Sequence, residues 1–157
     1  MTRLHERIQT ANPLEDTFDY VADFANSQEW DPGVSTAKRI GDGPVGVGAR
    51  YQLGVHLAGR VAPMEYRITT YEPPTRVVLE GEGSGVTAVD DIRFARDGDR
   101  TTIEYIADIR LGGLLRFVQP LLGGAFRKLA ANAVGGMRTS LDRRAATAQA
   151  TESTGPS

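Results

Sequence analysis

The residues of this chain that could do chemistry are few, and most are acidic or phenolic. It has no cysteine and only two histidines, His5 and His56. Thiol catalysis, disulfides and zinc ribbons are thereby excluded, and a metal site lacks its commonest ligand; no metal and no cofactor are expected. Asp90 and Asp91 look like an acid/base pair, but consecutive side chains of a strand point to opposite faces, so they cannot share one site. With Ile92 and Phe94 facing inward, Asp90 faces inward too, and a carboxylate in apolar surroundings must pair or take a raised pKa. Asp90 is therefore the candidate for a catalytic or ligand-binding carboxylate, the alternative being a solvated strand end. Tyr51, Tyr66 and Tyr105 fall on the inner faces of three strands. There each phenol can orient a carbonyl or hydroxyl of a bound molecule while its ring packs against it; equally, they can be core tyrosines bonded to backbone or water. His56 lies opposite Val55 and Leu57 and is expected outside.

Two glycine clusters imitate phosphate cradles. Gly41-Asp42-Gly43-Pro44-Val45-Gly46 has the three glycines of a dinucleotide loop, but strands flank it on both sides and no helix N-terminus follows to receive a pyrophosphate. It reads as a strand-to-strand turn. Gly81-Glu82-Gly83-Ser84-Gly85 also lies between strand-like runs and carries its own negative charge, so a hairpin loop at a cavity edge is expected.

The elements that must position Asp90 and the tyrosines follow from periodicity and turn chemistry. Residues 3–10 read as a first strand. Asn12-Pro13-Leu14-Glu15 has the form of a helix start, with Asn12 as cap, Pro13 in the first helical position and Glu15 closing a capping box; the helix is predicted from Pro13 to Ala22. A second helical turn, Phe24 to Gln28, leads to Glu29-Trp30-Asp31-Pro32-Gly33. Trp30 there can wall a pocket or pack the short helices onto the sheet. Between 34 and 111 turn clusters at 41–48, Ala58-Gly59-Arg60, Glu72-Pro73-Pro74-Thr75, 81–85 and Asp97-Gly98-Asp99 separate six strands: 34–40, 49–57, 61–71, 76–81, 86–96 and 101–111. Alternation in Tyr51/Leu53/Val55/Leu57, Met64/Tyr66/Ile68 and Ile103/Tyr105/Ala107/Ile109 makes one sheet face apolar.

A helical period returns after Leu114. Leu122, Phe126, Leu129, Ala130, Ala133, Met137 and Leu141 form one side of a long helix that covers the sheet. A short leading piece, Leu114 to Gln119, precedes Pro120, and Leu114-Leu115-Arg116-Phe117-Val118 with Leu121-Leu122 is suited to an apolar lid. Gly135-Gly136 costs on the order of 1 kcal/mol per residue relative to alanine, which close approach to the sheet or room for a ligand would explain. Folding is expected as one domain over 1–144, with a disordered tail over 145–157 that lacks apolar anchors.

Charge narrows the partners. Eighteen basic and twenty acidic residues, net −2, leave no face built to track phosphates, so nucleic acid is not expected. The charged N-terminus and the lack of any apolar run near 18 residues predict cytoplasmic residence without stable membrane insertion.

The order strand, two short helices, six strands, long helix is an α+β layering in which a curved seven-stranded antiparallel sheet grips one helix. Particular residues sharpen it: Phe18-Asp19-Tyr20-Val21-Ala22-Asp23, Glu29-Trp30-Asp31-Pro32-Gly33-Val34, Val47-Gly48, Tyr71-Glu72-Pro73-Pro74 and Gly98-Asp99-Arg100-Thr101-Thr102-Ile103-Glu104-Tyr105. Over residues 3–144 the chain resembles the polyketide cyclase/dehydrase branch of the START-like (Bet v 1-like) superfamily. The resemblance implies a helix-grip fold with a cavity between sheet and C-terminal helix, whose members carry lipids, bind hormones or polyketides, or catalyse cyclisation and dehydration. Fold alone does not choose among these. The leading expectation is binding of a small hydrophobic molecule (lipid, isoprenoid or polyketide-like), with Tyr51, Met64, Tyr66, Asp90, Phe94, Tyr105, Phe117, Phe126 and Met137 facing it. A cyclase or dehydratase using Asp90 as acid or base is the alternative, and a homodimeric interaction module without ligand is a third reading.

Overall fold

The computed structural model describes residues 1–57 and 59–153. Ala58 of the predicted Ala58-Gly59-Arg60 turn lies outside them, as do residues 154–157 of the predicted tail. Strand β1 (Thr2–Thr10) is followed by helix α1 (Leu14–Ala22), a 3-10 turn (Phe24–Asn26) and helix α2 (Ser27–Trp30). Six strands follow: β2 (Val34–Ile40), β3 (Arg50–Leu57), β4 (Arg60–Glu72), β5 (Arg76–Gly83), β6 (Val86–Asp97) and β7 (Arg100–Leu111). Two 3-10 turns, Gly113–Phe117 and Gln119–Leu121, lead into helix α3 (Gly123–Ser153).

All seven strands form one antiparallel sheet in the order β1-β7-β6-β5-β4-β3-β2. Turn residues close the meander, so sequential strands pair, while α1 and α2 carry the chain from one edge strand, β1, to the opposite edge, β2. The sheet curves around α3, giving a helix-grip fold. Alternation directs Leu4, Leu53, Met64, Ile92 and Ile103 inward, where they join Phe18, Trp30 and Leu141 in one core.

Three local expectations are corrected. Asn12 does not cap α1, whose helical residues begin at Leu14 without a side-chain cap bond. Buried Asn12 instead donates from Nδ2 to Thr17 Oγ1 (2.9 Å), and its carbonyl accepts from Thr101 Oγ1 (2.7 Å). Thr10 Oγ1 donates to Asp142 Oδ1 (2.7 Å) nearby. Inside the protein these partners from β1, α1, β7 and α3 satisfy groups that a solvent-exposed cap would leave to water. The long helix also runs to Ser153 instead of stopping at Arg144. Ala145 is still buried, and the alanines at 145, 146, 148 and 150 have high helix propensity, which outweighs their lack of large apolar anchors. Gly136 does mark a close approach, but to α2: a Cβ there would collide with the Trp30 carbonyl oxygen, whereas one at Gly135 would meet open space.

Gln119 ties the 113–121 segment to β7 and β1. Buried Gln119 accepts from the Leu111 N–H (3.1 Å) and donates to the Ile109 carbonyl (2.8 Å) and to Thr2 Oγ1 (3.0 Å). Around that anchor Leu114, Phe117 and Leu121 are largely exposed.

Candidate functional site

The inner face of the sheet is divided along its strands. At one end large side chains fill the space under α3 and the short helices: Phe18 meets Phe94 edge-on with ring centroids 5.2 Å apart, and Phe24 packs near Tyr51 at 6.3 Å and Tyr66 at 5.4 Å. At the other end the same strands present smaller groups. Val86 and Ala88 on β6, Ala107 on β7, and Ala130 and Ala133 on α3 leave a cavity of about 130 Å³. A dry apolar cavity of roughly 150 Å³ holds benzene, so the space as it stands suits about one ring.

Its walls are apolar apart from five oxygen-bearing side chains, Glu6, Asp31, Tyr66, Asp90 and Tyr105. Each is placed by its element. Glu6 alternates with Leu4 and Ile8 on the inner face of β1 and pairs across the sheet with Tyr105. Asp31 follows α2 and is held by its own turn, Oδ1 accepting from the Gly33 N–H at 2.7 Å. Tyr66 faces Gly81 on β5, where an added Cβ would run into the Tyr66 ring; the glycine lets that ring lie flat along the sheet. Asp90, 6% exposed, sits between Leu79 and Ala107 on neighbouring strands.

Asp90 Oδ2 accepts from the Tyr105 hydroxyl at 3.0 Å. The described residues supply Asp90 with no second hydrogen bond, and the Tyr66 hydroxyl has no partner among them. Burial pushes the Asp90 carboxyl up to about 7, with the charges of Asp31 and Asp108 adding to the rise and the Tyr105 hydrogen bond opposing it. Burial also raises Asp31, against the Gly33 N–H. The Tyr66 and Tyr105 phenols lie well above their ordinary value because they are buried and face Asp90 and Asp31. At neutral pH the site therefore holds two neutral phenols and a carboxyl near its midpoint, a group able to give or take a proton.

Of the nine residues expected to face a ligand, Met64, Tyr66, Asp90, Tyr105 and Phe126 line this cavity. Four do not. Tyr51 is fully buried at the filled end, with the Arg39 guanidinium 5.9 Å from its ring. Phe94 is packed on Phe18, and Met137 is fully buried one helical turn beyond the lining residue Val134. Phe117 is 67% exposed with Arg116 over its ring at 4.8 Å. The three-residue period of the 3-10 turn puts it on the same outer side as Leu114. His56 is exposed, and Asp91 points outward between Arg76 and Arg93 at 3.0 Å from each. Trp30 stands behind Tyr105, rings 6.5 Å apart and edge-on. The sequence reading missed Glu6 and Asp31. The Leu4/Ile8 alternation already placed Glu6 inward; no periodicity governs Asp31. Among the described residues no cluster of three or more His, Asp or Glu could hold a metal ion, and no helix is long and apolar enough to cross a membrane.

Known proteins share this fold. A family model described as polyketide cyclase/dehydrase and lipid transport matches residues 1–149. A START superfamily protein from Mycobacterium smegmatis is 18% identical, with 94% of this chain and 99% of that chain covered at a TM-score of 0.68. The Zhui aromatase/cyclase from Streptomyces sp. R1128 superposes at a TM-score of 0.75 with 14% identity, over 90% of this chain and 94% of that one. A protein from Thermus thermophilus gives 0.71 and 14%, over 93% and 98%. At these identities the likeness is one of fold. No curated protein matches the sequence.

Proposed function

The chain belongs to the polyketide cyclase/dehydrase and lipid transport family, and from that premise we propose that it binds a small hydrophobic ligand between the sheet and α3. The observation that carries the reading is the hollow itself. A sheet face that is solidly packed at one end is lined at the other by valines and alanines around a few inward oxygens, the composition of a small-molecule pocket. Ligand contacts fall to Met64, Tyr66, Asp90, Tyr105 and Phe126. A solid core would instead have favoured the interaction-module reading.

Native mass spectrometry of protein purified from its own host, followed by extraction, tests this. A discrete noncovalent adduct with an apolar body is expected. A clean apo mass, with no uptake when one-ring apolar compounds are offered, would contradict it.

One observation supports a second reading, the cyclase or dehydratase. The hydrogen-bonded Asp90–Tyr105 pair combines a carboxyl near neutral pKa with a phenol in an apolar cavity, an arrangement suited to moving a proton and steadying an enolate. Asp90→Asn separates the two. An enzyme loses turnover while keeping most of its affinity for a neutral ligand, and a carrier has no turnover to lose.

A further inference from the structure

The polar side of the cavity has one sign. Glu6 from β1, Asp31 after α2 and Asp90 from β6 line it together with two phenols, and no lysine, arginine or histidine is among its lining residues. Three half-buried acids elsewhere on the sheet have cations at hand: Asp108 has Arg3, Glu65 has Arg50, and Asp91 has Arg76 and Arg93. Among the described residues the buried Asp90 has only the Tyr105 hydroxyl, which leaves its other oxygen without a partner among them. The Tyr66 ring forms another wall, and the face of a phenol ring attracts a cation. A buried charge without a counter-charge is expensive, and none of the lining residues supplies one.

Resting on the ligand-binding reading above, we propose that the cavity selects a ligand whose apolar body carries one cationic group, a protonated amine or quaternary ammonium, and rejects carboxylates. The amine lies between Asp90 and Asp31 and donates to the free Asp90 oxygen. The body occupies the space between Ala88, Ala107 and Ala133. A fatty-acid head group would instead meet the carboxyls of Asp90 and Asp31 with no cation among the lining residues.

The test is a charge series on one skeleton: phenethylamine, phenethyl alcohol and hydrocinnamate, titrated into the full chain while Trp30 fluorescence and calorimetry are followed. At about pH 8, where Asp90 is ionised, phenethylamine should bind at least about tenfold more tightly than the alcohol, and hydrocinnamate should not bind measurably. Near pH 5 Asp90 becomes protonated, and the amine should lose most of that advantage. The groups facing Asp90 that share in this change are Tyr66 on β4, Tyr105 on β7 and Asp31; Glu6 on β1 lines the same cavity, Asp108, on the outer side of β7, acts through its charge, and α3 faces the cavity with apolar groups alone. Asp90→Asn, nearly the same shape, should keep the alcohol and lose the amine preference. Asp31→Asn, which retains an oxygen for the Gly33 N–H, should reduce that preference independently. Equal or tighter binding of the alcohol or the carboxylate overturns the charge selectivity and leaves the binding reading standing. No binding of any of the three overturns both.

Discussion

The two ends of the same sheet face teach more together than either does alone. On β6, Ile92 and Phe94 are packed into the filled end, while Val86, Ala88 and Asp90 border the hollow one. On β7, Ile103 belongs to the first and Tyr105, Ala107 and Ile109 to the second. The strands, register and covering helix are shared, and large side chains, with those of α1 and the short turn after it, fill one end while small ones leave a cavity at the other.

The largest expected effect on that comparison comes from Phe18→Ala. It empties a fully buried aromatic site at the filled end and should cost about 3–5 kcal/mol in urea denaturation. Phe126→Ala, bordering space that is already empty, should cost about 1.5–3 kcal/mol, the transfer of the side chain without a comparable new void.

Next is pH. Asp90 has its carboxyl raised to about 7 in the fold, against an unfolded value of roughly 4. The native state therefore binds this proton more tightly than the unfolded state does. The stabilisation is fully present below about pH 4 and is lost as pH rises through about 7, up to about 4 kcal/mol in total. Comparing urea midpoints of wild type and Asp90→Asn near pH 5 and pH 8 should show the variant gaining relative stability at the higher pH. A constant difference would place Asp90 in a wetter setting than the hollow end provides.

Smaller effects separate two adjacent glycines of α3. Gly136→Ala forces a methyl into the Trp30 carbonyl and should destabilise by about 1–3 kcal/mol. Gly135→Ala, facing open space, should stabilise by roughly 1 kcal/mol through helix propensity. Thermal melts of the two variants should shift in opposite directions.

How much of this was legible follows from what each feature depends on. Strand positions and the inward placing of Asp90 depend on local alternation and turn residues, and the observed strands begin and end within two residues of their expected limits. Glu6 was equally legible but lay in a strand short of apolar residues. The division into filled and hollow ends was not legible, because it depends on which residues of α3 face which strand. Tyr51 and Tyr66 carry the same signal in sequence and pair across β3 and β4, yet Tyr66 borders the cavity and Tyr51 does not. Phe117 belongs to an apolar stretch suited to a lid, but the chain there turns as a 3-10 helix that leaves its ring exposed. Asp31 is aimed by a turn bond to the Gly33 N–H, a geometry that no hydrophobic pattern reports.

The central claim is that the hollow end is where a ligand sits. The most direct measurement is native mass spectrometry of wild type beside Ala133→Phe, which places a ring where α3 borders the cavity, with circular dichroism to confirm that both are folded. The account predicts a noncovalent adduct on wild type and none on the folded variant. The same adduct on both proteins would contradict it.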